Sequence, residues 1–261
     1  MSKKINLKKF DFATMLKPHS LICILGKRNT GKTTLLVDIM SKMHKIDIAL
    51  AMSPTESTIQ DLKRFIPPHF VHSKFSEKKV SDLLDLQGKS IDKGKPRNAL
   101  LIMDDMAYKR SHLTNTAVTF VAYNGRHRRV TALFSCQYAM MLPPSLRNNI
   151  DLLIILKENL PSARKKIYDQ YFGLLSFKDF NHLMDASTEN YECLIIDNSK
   201  ASNNVEDICF WYRAEKLVEE QSFTLCSPAY WHMGQRANVR SSMNQSNSAK
   251  KITIPSKSTV K

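Results

Sequence analysis

The sequence predicts an α/β fold with a mostly parallel central sheet flanked by helices. Short apolar runs alternate with longer amphipathic stretches, which is typical of strands joined by crossover helices. Five of the runs are continuously apolar, as expected for central parallel strands covered on both faces. The chain has 261 residues, 43% of them hydrophobic, so a sizeable core can be buried.

Seven strands are predicted, at residues 20–25, 47–52, 99–103, 131–134, 152–156, 192–197 and 208–212. Four helices are predicted, at residues 32–43, 77–86, 162–171 and 177–184. Residues 87–98 contain two glycines, one proline and four basic residues, a composition that predicts an exposed loop.

The charge balance indicates a polyanionic partner. There are 39 Lys and Arg residues against 24 Asp and Glu, a formal net charge of +15. This excess favours nucleic acid, with an anionic membrane surface or solubility alone as the alternatives. No apolar run approaches the roughly 20 residues that span a bilayer, and we expect no integral membrane segment. We expect four cysteines to be buried and reduced, namely Cys23, Cys136, Cys193 and Cys209.

A phosphate-binding motif follows the first predicted strand. Residues 26–33 read Gly-Lys-Arg-Asn-Thr-Gly-Lys-Thr and lead directly into a helical pattern, which matches G-x-x-x-x-G-K-[ST] in its strand–loop–helix context. Gly26 and Gly31 allow backbone N–H groups to point at phosphates, Lys32 would contact the β- and γ-phosphates, and Thr33 would help to hold Mg²⁺. The residues expected to cradle the phosphates are Gly26, Lys27, Arg28, Asn29, Thr30, Gly31, Lys32, Thr33 and Thr34.

Two acids, Asp104 and Asp105, end the predicted strand at 99–103. Ligands bind at the carboxyl ends of strands in open α/β sheets, and a triphosphate site needs a carboxylate for its metal. We expect Asp104 to hold Mg²⁺, directly or through water, and Asp105 to polarise the attacking water. The reverse assignment, and a plain strand-end role for both, stay open. Along the chain, the predicted strand at 47–52 falls between the phosphate loop and the two acids. This fits P-loop ATPases that have an additional strand between the phosphate-loop strand and the acidic strand.

Three further polar residues are candidates for the reaction. Gln137 closes the stretch 131–137 that contains the strand at 131–134, and an amide there could sense the γ-phosphate and orient water; it could also simply start a helix. Arg126 and Arg147 each precede a later strand and could stabilise transition-state charge at the nucleotide of a neighbouring subunit. Either arginine could instead bind DNA phosphate or lie solvated on the surface.

The ordered set of motifs resembles a known family. Gly26–Thr33, Leu100–Asp105, Ser135-Cys-Gln137 and Leu146–Asp151 occur in the order seen in the virion DNA-packaging ATPases of large cytoplasmic DNA viruses, poxvirus-type members of the FtsK–HerA superfamily. The sequences Tyr171-Phe-Gly173 and Thr188–Asp197 also look like that family's C-terminal half. The resemblance covers about residues 20–213.

The resemblance implies a RecA-like P-loop NTPase that uses ATP and Mg²⁺ and forms a homo-oligomeric ring pushing double-stranded DNA into a capsid. It also implies action in the viral factory of the host cytoplasm, with association with the virion and with capsid or membrane-associated assembly proteins. One departure concerns Asp105, because many superfamily relatives use glutamate as the catalytic acid. Two other functions stay open: a nucleotide-gated DNA-binding switch, and a P-loop nucleoside or nucleotide kinase.

The composition also suggests three segments: a basic N-terminal segment at 1–18, a P-loop ATPase domain at 19–220 and a basic, flexible C-terminal tail at 221–261. Residues 231–261 contain six Lys or Arg and no Asp or Glu. This stretch could tether nucleic acid or be a solvated terminus with no task.

Overall fold

A computed structural model describes residues 5–43, 45–216 and 223–233. Within these ranges the chain forms a single nine-stranded sheet. The strands are β1 (Lys8–Lys9), β2 (Leu21–Leu25), β3 (Ile48–Met52), β4 (Val71–His72), β5 (Ala99–Asp104), β6 (Val130–Cys136), β7 (Leu152–Ile155), β8 (Glu192–Asp197) and β9 (Cys209–Arg213).

The sheet is mostly parallel, in the order β1-β9-β8-β7-β2-β6-β5-β3-β4. The exception is β8, which runs antiparallel to both of its neighbours, β7 and β9. Every residue of β2, β3, β5, β6 and β7 is buried, which accounts for their continuously apolar sequences. The carboxyl ends of these parallel strands therefore meet at one edge of the sheet.

The helices longer than one turn include α2 (Lys32–Lys42), α3 (Glu56–Lys63), α4 (Glu77–Asp92), α6 (Thr116–Asn124), α8 (Pro161–Tyr171) and α9 (Phe177–Ser187), and residues 228–233 are also helical. Shorter helices are α1 (Phe12–Met15), α5 (Arg110–Leu113), α7 (Pro144–Arg147) and α10 (Val205–Ile208). Apolar residues of α1, α2 and α3 pack on one face of the sheet, and those of α4, α6, α7, α8 and α9 on the other.

Alternation along β2 shows how the sheet separates two cores. Leu21, Cys23 and Leu25 pack with one group of helices, while Ile22 and Ile24 pack with the other. Both isoleucines are fully buried, and burial of such a side chain contributes about 1.5–3 kcal/mol to stability. This packing holds the carboxyl edge of the sheet rigid from both sides.

All seven predicted strands and all four predicted helices are present, with ends shifted by a few residues. The sequence missed β1 and β4, α3 and α6, and the one-turn helices. The strand that separates β2 from β5 in the sheet is β6, whereas β3 lies beyond β5. An additional strand therefore does lie between the phosphate-loop strand and the acidic strand, but β6 forms it and residues 47–52 do not.

The prediction of a loop at 87–98 is wrong for its first half, because α4 continues to Asp92. Gln87 is fully buried, and its Nε2 donates to the carbonyl oxygens of Arg97 and Arg128, at 2.7 and 3.0 Å. The side chain of Arg128 lies against Gly88, where an added Cβ would meet its Nη1. Gly88 thus leaves room for the end of this flexible side chain inside a helix and does not form a turn.

The terminal segments are more integrated than their composition suggested. Phe10 and Phe12, inside the predicted basic segment 1–18, are buried, and β1 pairs with β9. Residues 223–233, inside the predicted tail, also pack on the body: Leu225 is buried and its backbone N–H donates to the Phe65 carbonyl at 2.8 Å. Residues 234–261 of the predicted tail lie outside the described residues.

None of the helices described by the structure is both long enough and apolar enough to cross a membrane.

Candidate active site

The phosphate loop connects β2 to α2 at the carboxyl edge of the sheet. Gly26 is required by space, because a Cβ there would come within 2.7 Å of Leu156 Cδ1 and of Thr30 Oγ1. Gly31 caps α2 with a φ of 92°, in the left-handed region that favours glycine. The two glycines therefore let the backbone turn tightly around a space at the N-terminus of α2, where N–H groups and the helix dipole favour an anion.

Lys32 is 8% exposed and curls back over this loop. Its Nζ donates to the carbonyl oxygens of Gly26, at 2.7 Å, and Lys27, at 3.0 Å. The same Nζ lies 3.9 Å from Asp105 Oδ2. The ammonium group is thus held between the phosphate loop and the acids, where the terminal phosphates of a nucleotide would approach.

An ion pair between the half-buried Lys27 and the buried Glu158 anchors the start of the loop. Lys27 Nζ donates to Glu158 Oε1 at 2.6 Å, and the same oxygen accepts from the Leu160 N–H at 2.8 Å. Glu158 is 6% exposed and follows β7, so the pair fastens the loop to the neighbouring strand. The sequence motif did not reveal Glu158, because its role depends on β7 lying next to β2.

Asp104 ends β5 as a buried carboxylate held by two hydroxyl groups. Ser53 Oγ donates to Oδ2 at 2.7 Å, and Ser135 Oγ donates to Oδ1 at 2.5 Å. Burial is the main cause that raises the pKa of Asp104 above its ordinary value; the Asp105 carboxylate raises it further. The hydrogen bonds from Ser135 and Ser53, and the charge of Lys32, act in the opposite direction.

Asp105 follows in a left-handed conformation, with φ at 48°, and the extended strand ends before it. Its backbone N–H donates to Ser135 Oγ at 3.0 Å, so one serine fixes both acids. Gln137 Nε2 donates to Asp105 Oδ2 at 3.1 Å. The side chains of Asp105 and Gln137 are therefore in direct contact at the carboxyl edge of the sheet.

Magnesium fits this group of residues. Asp105 Oδ1 is buried and has no hydrogen-bond partner among the described residues, so it has an unused acceptor position. Thr33, the first-turn hydroxyl of α2, lines the same cavity as the two acids. Carboxylate and hydroxyl oxygens are hard ligands of the kind that Mg²⁺ prefers.

These residues surround an open cavity of about 730 Å³, a volume suited to a nucleotide-sized ligand. Its phosphate-loop wall is lined by Lys27, Arg28, Asn29, Gly31, Lys32, Thr33 and Thr34. The opposite wall is lined by Asp104, Asp105, Gln137, Tyr108 and a segment after β3 containing Pro54, Thr55, Ser57 and Thr58. The sequence did not single out Tyr108 or the segment after β3, although both lie within a few residues of a strand end.

The two candidate arginines do not reach the cavity of their own chain. Arg126 is paired with Asp151, which precedes β7 and thus lies at the amino edge of the sheet. Arg147 ends α7, and its Nη1 donates to Gln170 Oε1 on α8. A role at the nucleotide of a neighbouring subunit stays a prediction for both residues.

Comparison with known protein families identifies the family of the chain. The family described as "Poxvirus A32 protein" matches residues 7–237. The chain belongs to this family. The match includes the phosphate loop, both acids and Gln137, and it begins before β1 and ends beyond the last described helical turn, at 228–233.

Similar proteins occur in large DNA viruses. The chain is 30% identical over 222 residues to a protein of Acanthamoeba polyphaga mimivirus, covering 81% of this chain and 78% of that protein. It is 31% identical over 227 residues to a protein of Invertebrate iridescent virus 3, covering 85% of this chain and 87% of that protein. The chain thus matches both relatives over most of their own length.

Solved structures confirm the predicted RecA-like P-loop fold. The genome packaging NTPase B204 of Sulfolobus turreted icosahedral virus 2, in complex with ATPγS, has a TM-score of 0.54 at 16% identity, over 78% of this chain and 100% of that chain. The pCW3 conjugation coupling protein TcpA, also with ATPγS, has a TM-score of 0.53 at 12% identity, over 84% of this chain and 65% of that chain.

Proposed function

We propose that the chain is an ATPase that hydrolyses ATP with Mg²⁺ and uses the energy to move double-stranded viral DNA into the capsid during virion assembly. The observation that carries the proposal is the cavity in which the phosphate loop faces Asp104, Asp105 and Gln137. Membership of the A32 family and the similarity in fold to a viral genome packaging NTPase support it.

The residues of the cavity suit phosphoryl transfer to water. Lys32 would exchange the carbonyl oxygens of Gly26 and Lys27 for the β- and γ-phosphates, and Thr33 and Asp104 would hold Mg²⁺, which neutralises phosphate charge. Asp105 would accept a proton from the attacking water, and Gln137 would orient that water. Catalysis then rests on positioning and charge stabilisation, without a covalent intermediate.

Double-stranded DNA is the partner that the net charge of +15 suits best. We propose that the chain works as a homo-oligomeric ring in the viral factory of the host cytoplasm, in contact with capsid or membrane-associated assembly proteins, and that some of it is carried in the virion. In such a ring Arg126 or Arg147 would be presented to the next subunit's nucleotide, which neither residue reaches within its own chain.

The test is ATP turnover measured over a range of protein concentrations, with and without long duplex DNA, at low and moderate salt. We expect DNA to stimulate turnover, the stimulation to rise cooperatively with protein concentration, and salt to weaken it steeply. Lys32→Ala should abolish turnover with the fold intact. Lys78→Ala, which removes the same charge from an 82% exposed side chain that does not line the cavity, is the matched control.

ATP turnover that changes neither on addition of DNA nor with protein concentration would contradict an oligomeric motor that acts on DNA. Wild-type turnover by Lys32→Ala would contradict the site itself. ATP-dependent retention of DNA with negligible turnover would identify a switch instead, and phosphate transfer to an added nucleoside would identify a kinase.

A further inference from the structure

Tyr191 is an exposed aromatic residue beside the phosphate loop that the proposed reaction does not use. It immediately precedes β8 and is 70% exposed. Its Cδ1 lies 3.5 Å from the position that a Cβ on Gly31 would occupy, so the ring packs against the glycine that caps α2. Most of the ring surface nevertheless faces solvent, next to Gly31 and just outside the residues that line the cavity.

The backbone holds Tyr191 in an unfavourable conformation. The Glu192 N–H donates to the Glu189 carbonyl at 2.8 Å, closing a turn whose central residues are Asn190, with φ at 50°, and Tyr191, with φ at 64°. Positive φ at both central positions is the pattern of a type I′ turn, where Gly, Asn and Asp dominate. Asn190 suits such a turn, whereas a bulky residue there is strained.

Burial does not compensate for this strain, because the side chain is exposed rather than packed in the core. A glycine at the same position would form the turn without cost. Strained residues that are not needed for packing cluster where a ligand is bound. The aromatic ring is therefore expected to contact something that the chain binds beside Gly31.

The sheet order indicates which part of a nucleotide that would be. Along the order β8-β7-β2-β6-β5, the phosphate loop follows β2, the acids and Gln137 lie on the β5 and β6 side, and Tyr191 lies on the β8 side. The terminal phosphate must face the acids, where water and metal chemistry take place. With strands about 4.8 Å apart, Tyr191 is displaced from the Gln137 strand by about 14 Å, in the direction in which the nucleoside would extend.

We propose that Tyr191 is the platform on which the base of the bound nucleotide stacks. This inference rests on the proposed function and deepens it by assigning the base end of the site. Aromatic stacking tolerates any base, because every base has a π face. Tyr191 therefore contributes affinity for ATP and GTP alike, and a preference between them has to come from hydrogen bonds elsewhere.

The test compares Tyr191→Gly and Tyr191→Phe with the wild-type chain by calorimetric titration. The ligands are a non-hydrolysable ATP analogue and inorganic tripolyphosphate, each with Mg²⁺. Tyr191→Gly should bind the ATP analogue about tenfold more weakly, the effect of losing one stacking contact, and tripolyphosphate as tightly as the wild type. Tyr191→Phe keeps the ring and should bind both ligands as the wild type does.

Thermal melting separates this role from a structural one. Because glycine suits the turn, Tyr191→Gly should melt at the wild-type temperature or above it. A lower melting temperature together with equal weakening of both ligands would show that Tyr191 only shapes the loop, and would overturn the proposal. So would unchanged affinity for the ATP analogue in Tyr191→Gly. A wild-type chain that binds neither ligand would instead overturn the proposed function, and the base platform with it.

Discussion

Replacing Ser53 by alanine removes one of the two hydroxyl groups that donate to Asp104. The hydroxyl is fully buried and lies 2.7 Å from Oδ2, so no water can replace it without rearrangement. A hydrogen bond to a charged group contributes about 1.5–3 kcal/mol. At about 1.4 kcal/mol per tenfold, its loss changes the protonation equilibrium of Asp104 about ten- to hundredfold in favour of the protonated form.

The direction in which Ser53→Ala changes the pKa of Asp104 follows from the structure. Burial already raises the pKa of Asp104, and the Ser53 hydroxyl lowers it, so Ser53→Ala raises it further. The proposed role requires the carboxylate, so activity falls as the pH drops through this pKa. On the acid side of the profile the variant should therefore be about ten- to hundredfold less active than the wild type at the same pH. On the alkaline plateau the two should agree within about a few-fold.

The assay is the pH dependence of kcat/KM for ATP hydrolysis, with thermal melting recorded alongside because the Thr55 N–H also donates to the Ser53 hydroxyl. Ser90→Ala is the matched control: Ser90 is buried and its hydroxyl donates to the Lys95 carbonyl at 2.7 Å, away from the cavity. If kcat/KM of Ser53→Ala falls at the same acid pH as that of the wild type, the reasoning is refuted, because the ionisation of Asp104 then does not govern the rate. An equal shift of this pH in Ser90→Ala would refute it too.

Three further outcomes are expected. Gln137→Ala, which loses the donor to Asp105, should slow hydrolysis by about tenfold or more and leave the affinity for the ATP analogue unchanged; weakened binding would argue against water positioning. Glu158→Gln should lower the melting temperature and weaken tripolyphosphate binding, because Lys27 loses its buried anionic partner; equal behaviour to wild type in both measurements would count against that anchor. Burial raises the pKa of Cys209 to about 12, so this thiol should react with a disulfide reagent only after denaturation; rapid labelling of the native chain at that residue would contradict the buried position.

The features that sequence predicted well are those set by local pattern. The five central strands are continuously apolar because both of their faces are covered. The phosphate loop is a contiguous motif, and its glycines are required by the shape of the loop itself. The acids and Gln137 could be placed because strand ends share one edge of a parallel sheet. Their direct contact, Gln137 Nε2 to Asp105 Oδ2, agrees with that reasoning.

What the sequence could not predict depends on which strands are neighbours. Ser53 reaches Asp104 because β3 pairs with β5 in a register that sets Met52 beside Met103, and nothing local reveals that pairing. Glu158 reaches Lys27 for the same kind of reason. The polar stretch after Leu86 looked like a loop because the partners that bury Gln87 come from residues ten and forty-one positions away.

The charges of the cavity link nucleotide binding to metal binding. In this structure the Lys32 ammonium lies 3.9 Å from Asp105 Oδ2 and offsets part of the negative charge of the neighbouring acids. A triphosphate competes for that ammonium and brings several negative charges of its own. If Lys32 turns to the phosphates, the two acids lose a compensating cation while the cavity becomes more negative, and like charges at such distances in a partly buried site are costly. A divalent cation between the phosphates and the acids restores the balance, and the Asp104 carboxylate and the Thr33 hydroxyl would hold it there. The same two carboxylates that repel a bare triphosphate therefore favour its magnesium complex.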